Sequence, residues 1–433
     1  MVQDTRVKVI FVYNKKNVPS WPYINYDFQK RAVEIMKILR ESLPDIRFSE
    51  ILPYSDHQES IEEGEYDGYL IYMMSRGIGM SLSVEKIIES GHPVVLANEL
   101  YGGSGRFLSE YPLIKKKQLP VLAITSSNFE EVIEAVKLFE IIKKMKQAKI
   151  LVIKDGEINE IAEKTKKMFG TEVIRMSSKE LHSYYEKTDE NEARRWKDKW
   201  IKEALRVIEP TEEEILKSAR MYLALKRIMR EKEIDAVTID CLGLYYANKL
   251  IAYPCLAFFQ LNNEGSTGVC EADIDSTVTQ LVMRYLTGRA GYVSDPVIDT
   301  ASNQIIYAHC VATNKVYGPD GLANPYLIRS HNEDRKGASV QSLMPIGEKI
   351  TTVKISISQE ALAIHEGKSI ANVEEDKGCR TKLAVEAKAR KILENWNTKF
   401  NFGWHRVSFY GDWKEKILKL ATLLRLKVYE EDR

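Results

Sequence analysis

The stretch from Pro254 to Asp299 carries side chains whose types and spacing could do chemistry. It contains Cys255-Leu256-Ala257, Gly268-Val269-Cys270-Glu271-Ala272-Asp273, Tyr285-Leu286-Thr287-Gly288 and Gly291-Tyr292-Val293-Ser294-Asp295. A helix of roughly 15 residues, about 22 Å long at about 1.5 Å per residue, fits between Ala272 and Leu286, and Gly288 is placed to end it. A short extended return through Tyr292 then brings Asp295 back toward Glu271 at the helix start. Two carboxylates would share one edge of a sheet, and in open α/β sheets the carboxyl edge is where ligands bind. Carboxylates so placed can move protons. The alternative is structural: Glu271 serves, with Asp273 and Asp275, as a first-turn acid favoured by the helix dipole, and Asp295 before Pro296 is an ordinary turn residue.

The elements that must position these residues are legible from periodicity. Strand-like runs at Val7–Tyr13, Gly68–Met73, Pro93–Asn98 and Pro120–Thr125 alternate with helical patterns such as Tyr26–Ser42. Strict alternation predicts a mostly parallel sheet covered on both faces. The same grammar restarts at Ala148, with strands at Lys149–Ile153, Thr171–Arg175 and Ala236–Ile239. Thr211 and Glu214 form a capping box that opens a long helix with Ile215, Ala219, Tyr222, Leu223 and Ile228 on one stripe. The charged stretch Tyr184–Glu209 reads as a solvated helical connection. Beyond Gly291, short runs at Ile305–Ala308, Thr352–Ile357 and Leu362–Ile364 are separated by Gly, Pro and Asn, with closing helices expected over Lys382–Trp396 and Trp413–Leu424. The expected fold is therefore α/β: two doubly wound parallel-sheet domains, 1–145 and 146–290, followed by a β-rich, barrel-like domain over 291–433.

Composition narrows the functional classes. At 433 residues, a chain allows two to four domains at ~100–200 residues each. A 44% hydrophobic and 29% charged composition describes a folded globular protein. Lys+Arg number 63 against 62 Asp+Glu, a net charge of +1 that argues against a dedicated nucleic-acid binder. No 18-residue uncharged run predicts a membrane span, and the first residues carry no secretion signal. The five cysteines lack any C-x-x-C pair, which fits reduced thiols in a cytoplasmic protein; a thiol nucleophile among them is the alternative.

From Pro254-Cys255-Leu256 through Glu271 to Leu286-Thr287-Gly288 and Asp295, the sequence resembles the L-fucose isomerase family, in its shorter branch within the L-fucose/L-arabinose isomerase superfamily. Asn401-Phe402-Gly403-Trp404-His405, followed by a helix and Leu423-Leu424-Arg425-Leu426, resembles the family's segment that ends in a third metal ligand. The resemblance is strongest over Pro254–Asp299, moderate over Asn401–Val428 and architectural before residue 240. It implies a divalent-metal site built from Glu271, Asp295 and His405, most often loaded with Mn²⁺, with Co²⁺ or Mg²⁺ as alternatives. Such an oxygen-rich set suits hard cations better than structural zinc.

The implied reaction is interconversion of an aldose such as L-fucose or D-arabinose with its ketose, through a metal-stabilised enediolate. Glu271 and Asp295 would handle the proton jointly. The resemblance further implies a homo-oligomer, trimeric or hexameric, in which Pro19–Tyr23 and Gly102–Arg106 of a neighbouring subunit help close the site. A non-catalytic sugar-binding or regulatory protein with two α/β lobes is the competing reading.

The remaining polar candidates surround this set. His309, in Ala308-His309-Cys310, and Arg329 and His331, in a polar loop, are candidates to touch the sugar or order the metal shell. Trp404 could offer a ring face to the substrate, or simply pack. His57, His92 and His182 read as surface residues, and His365 beside Glu366-Gly367 as a turn residue. The glycine loop Tyr101–Arg106 matches no nucleotide fingerprint and reads as a tight turn.

Overall fold

The computed structural model describes residues 4–52, 65–77 and 81–433; His57 lies outside them. Two compact units partition the chain, one of Met1–Lys144 with Lys416–Leu426, the other of Met145–Glu415 with Lys427–Arg433.

In the first unit, β-branched and aromatic runs form a five-stranded parallel sheet. Its order is Ile46–Ile51, Thr5–Val12, Gly68–Met73, Val94–Asn98, Val121–Ile124. Both sheet faces are covered, so Val9, Ile10, Leu70, Ile71 and Leu96 are all fully buried, as uninterrupted apolar strands require. Asp27 caps the helix Phe28–Ser42 by accepting from the Lys30 amide. Lys416–Leu426 belongs to this unit, where Lys416 pairs with Glu134 at 2.9 Å.

The second unit begins with a four-stranded parallel sheet ordered Thr267–Cys270, Ala236–Ile239, Lys149–Ile153, Glu172–Met176. Its major helix, Glu212–Lys232, opens with the expected Thr211/Glu214 capping box and buries Ile215, Ala219, Tyr222 and Ile228. The charged stretch before it is helical, as expected, in Ser178–Glu186 and Glu190–Glu203, with the short strand Arg206–Val207 after them, but it is not merely solvated. Trp200 is fully buried there and donates to Gln260 at 3.0 Å. Two indoles spaced by one helical turn, Trp196 and Trp200, pack on Tyr222 and outweigh the charges around them.

The chain then closes an antiparallel six-stranded barrel. Around it run Lys349–Ser356, Arg406–Tyr410, Tyr292–Asp299, Gln304–His309, Thr381–Glu386 and Ala361–Asn372, which pairs back with the first; Lys427–Glu430 adds a parallel strand outside. Two α/β parallel-sheet layers followed by a β-barrel is the architecture expected from the sequence. The expected helix over Lys382–Trp396 is instead the barrel strand Thr381–Glu386 followed by a short helix, Ala389–Asn395. Leu383 and Val385 alternate inward against Tyr307 and Ile305, a period of two that a helical stripe does not share. His365 is likewise no turn residue: it lies buried on Ala361–Asn372, between the Tyr307 hydroxyl at 2.5 Å and the Glu431 carboxylate at 2.8 Å. His92 is exposed and His182 half-buried.

All five cysteines are unbridged. Among the described residues, no helix is long and apolar enough to cross a membrane.

Candidate metal centre

Glu271 emerges directly from the strand Thr267–Cys270, and the backbone turns sharply there. Glu271 and Ala272 both adopt left-handed conformations, with φ of 65° and 51°. L-residues pay roughly 1–2 kcal/mol each for this region, and such conformations collect at functional sites. The Ala272 amide donates to the Ile239 carbonyl at 2.9 Å, which ties the turn to the neighbouring strand. Asp273 then caps the helix Ile274–Thr287 by accepting from the Ser276 amide at 2.8 Å. At the far end Gly288, with φ of 69°, ends the helix in a conformation that favours glycine.

The barrel supplies the other groups. The strands Tyr292–Asp299 and Arg406–Tyr410 are antiparallel, with Ser294 opposite Arg406 as their last pair. One position further on, Asp295 faces His405, and the Asp295 Oδ1 to His405 Nε2 distance is 3.2 Å. Glu271 Oε2 reaches the same Nε2 at 3.6 Å. His309 ends the strand Gln304–His309, with Nε2 3.8 Å from Glu271 Oε1 and its ring centroid 5.5 Å from that of His405. One ligand atom each from Glu271, His309 and His405 lies within 4.8 Å of the others. The sequence-predicted trio Glu271, Asp295 and His405 thus converges, and His309 joins it.

Burial and charge shape the electrostatics. Burial works to lower the pKa of His405, but hydrogen bonds to Asp273 and Asp295 and the charge of Glu271 outweigh it and push it up to about 10. His309 moves the other way, to about 4, through burial and the positive charge of His405. Burial raises the Glu271 carboxyl, partly opposed by His405. Asp273, despite burial, is held well below the usual carboxylate range by Lys354 and His405. The residues fit a divalent cation by one further observation. Neither ring nitrogen of His309 finds a hydrogen-bond partner among the described residues, although the side chain is only 4% exposed. A buried orphan nitrogen beside a carboxylate and a second imidazole is a donor set suited to a metal.

The chain is similar to sugar isomerases. Curated proteins named sulfoquinovose isomerase, from Priestia aryabhattai and from Priestia megaterium (strain ATCC 12872 / QMB1551), are each 26% identical over 322 residues. These alignments span 69% of this chain and 68% of the relative. A sulfoquinovose isomerase from Clostridium sp. (strain MSTE9) is 26% identical over 223 residues, 49% of this chain and 48% of its own length. No protein-family model matches. These relatives support an isomerase acting on a sugar.

The other expected site residues have different surroundings. Arg329 places its Nε 2.9 and 2.8 Å from the two Glu209 carboxylate oxygens and donates from Nη1 to Gln341 at 2.7 Å, so its guanidinium is already engaged. His331 stacks on Tyr253, centroids 4.3 Å apart, with Nδ1 3.7 Å from Asp334. Gly337 closes this loop at φ of 60°, where a Cβ would come within 2.8 Å of the Tyr253 ring. Trp404 is 62% exposed and donates Nε1–H to the Pro296 carbonyl at 3.2 Å.

Two residues escaped sequence reading. Asp273, taken there as a first-turn acid, also receives a hydrogen bond from His405 Nδ1 at 2.8 Å. Lys354 buries its ammonium against Asp273 at 2.7 Å. The only signal in the sequence was a lone lysine inside the otherwise uncharged run Thr352–Ile357.

Proposed function

We propose that this protein is a divalent-metal-dependent aldose–ketose isomerase of a monosaccharide. The observation that carries the reading is the convergence of Glu271, Asp295, His309 and His405, from four separate segments, into one cluster. Glu271, Asp295 and His405, with His309 beside them, would hold the cation, Mn²⁺ first and Co²⁺ or Mg²⁺ as alternatives. The chemistry supplied by that ion is Lewis-acid stabilisation of the oxyanion that develops as C1 and C2 pass through an enediolate.

The chain's own groups do the rest. Isomerisation moves one hydrogen from C2 to C1 and one hydroxyl proton from O2 to O1. Glu271 and Asp295 share this work: one carboxylate accepts the carbon-bound proton and returns it to the adjacent carbon, the other serves the hydroxyl proton. His309, buried beside Glu271, and His331, buried against Tyr253, would meet the sugar together with the exposed ring of Trp404, the neighbour of His405. Arg329 acts at one remove, by fixing Glu209 and the loop it bonds.

L-fucose and D-arabinose follow from the resemblance, and sulfoquinovose from the names of the relatives. All three belong in the first substrate panel. Exhaustive chelation should abolish ketose formation and added Mn²⁺ should restore it. Turnover that survives chelation counts against the mechanism, and sugar binding with no interconversion across the panel would favour the binding-protein alternative. Light scattering reads the proposed trimer or hexamer.

A further inference from the structure

Behind the Glu271, Asp295 and His405 cluster, a second set of groups is organised around a single carboxylate. Asp273 takes four hydrogen bonds: from the Ser276 amide at 2.8 Å, the Ser276 hydroxyl at 2.7 Å, Lys354 Nζ at 2.7 Å and His405 Nδ1 at 2.8 Å. Three of the four converge on Oδ2, so Lys354, Ser276 and His405 all meet at one carboxylate oxygen. Since a carboxylate can only accept, His405 must carry its proton on Nδ1, which leaves Nε2 directed toward Asp295 and Glu271.

Lys354 needs its own explanation. A lysine 2% exposed on a barrel strand is costly unless paired. Its ammonium donates to Asp273 and, at 2.6 Å, to the Ser276 hydroxyl. Two further bonds join the same segments: the Ile355 amide to Thr279 Oγ1 at 2.9 Å and the Ile357 amide to Asp275 Oδ1 at 3.1 Å. The helix that carries Asp273 is therefore bolted to the barrel that carries His405, with the Lys354 ammonium and the His405 ring meeting on the same carboxylate.

We propose that Lys354 and Asp273 are positioning residues for His405, fixing its ring orientation and tautomer so that Nε2 serves as a metal ligand. This rests on the metal-site reading above. Partners that orient a ligating histidine typically matter by about 10–100-fold in metal affinity.

The test uses the full chain and Co²⁺ as probe, titrated by its visible absorption, with ¹⁵N shifts of the His405 ring recorded in the Zn²⁺-loaded protein. Lys354→Met and Asp273→Asn should each weaken Co²⁺ binding by about 10–100-fold. The double variant should be no weaker than the worse single one, because both act through one relay. The wild-type ring should show Nδ1 protonated and Nε2 metal-bound, a signature that the variants blur and that a merely stabilising role would leave intact. If Lys354→Met does not fold, Ser276→Ala removes one partner from each of Lys354 and Asp273 without stranding a charge, and should weaken Co²⁺ binding in the same direction. Folded variants with wild-type Co²⁺ affinity and unchanged ring shifts overturn the positioning role alone. A wild-type protein that takes up no Co²⁺ overturns the metal reading and this proposal with it.

Discussion

Two histidines beside one carboxylate are driven in opposite directions, which makes pH an incisive perturbation of the chelated protein. His405 binds its proton more tightly in the folded chain, up to about pH 10 against an ordinary 6.5, while His309 holds its proton only below about pH 4. Linkage sets the signs. The contribution of His405 is fully present below pH 6.5 and is lost as pH rises toward 10. The contribution of His309 is intact above 6.5 and is lost as pH falls toward 4, because the buried ring cannot easily accept the charge that the unfolded chain accepts freely. At about 1.4 kcal/mol per pH unit, the alkaline limb is worth up to roughly 5 kcal/mol and the acid limb up to roughly 3 kcal/mol. Both side chains are at most 10% exposed, so solvent screening trims these values little. Glu271, raised by burial, acts in the same direction as His405: its folded form also favours the proton, so stability falls as pH climbs through its titration. Urea unfolding in chelator from pH 4 to 10 should therefore show maximal stability near pH 6.5. His405→Asn should flatten the alkaline limb and His309→Asn the acid limb. An alkaline limb that His405→Asn leaves unchanged would refute the pairing of His405 with Asp273, Asp295 and Glu271.

Other substitutions probe separate links. Glu271→Gln keeps the shape of the side chain while removing its proton-handling capacity, so kcat should fall by about 10²–10⁴-fold in a protein that still folds; full retained activity would remove Glu271 from the chemistry. Ala272→Gly relieves a left-handed φ worth roughly 1–2 kcal/mol against about 0.5–1 kcal/mol of added chain entropy, so a gain of up to about 1.5 kcal/mol is expected from the urea midpoint. Trp200→Ala should cost about 3–5 kcal/mol, measured the same way, because the indole is fully buried and bonded to Gln260; an effect below about 1 kcal/mol would return that helix to a solvated connection.

Much of the framework was readable because its signals are local. The Gly68–Met73 strand, the Thr211/Glu214 cap and the Gly288 stop are written in adjacent residues, and each stands where its pattern places it. Misreadings arose where local and long-range preferences compete. Lys382–Trp396 carries apolar residues compatible with either period, and ladder partners on Gln304–His309 decide for a strand. Ser178–Glu203 is outwardly polar, yet its two indoles meet the long helix across a fold that no window of sequence contains. His365 looked like a turn residue because nothing nearby announces the Tyr307 and Glu431 partners that bury it.

Residue order alone settled the parallel α/β layers, the switch to antiparallel strands after Gly291, and the presence of carboxylates at a strand–helix junction, since periodicity and capping act over a few residues. Only the tertiary structure decided that Asp273 and Lys354 stand behind His405 and that His309 faces Glu271 with unsatisfied nitrogens. Those relations join residues more than 30 positions apart through barrel closure, and a hydrogen bond between such partners leaves no periodic trace in the chain that forms it.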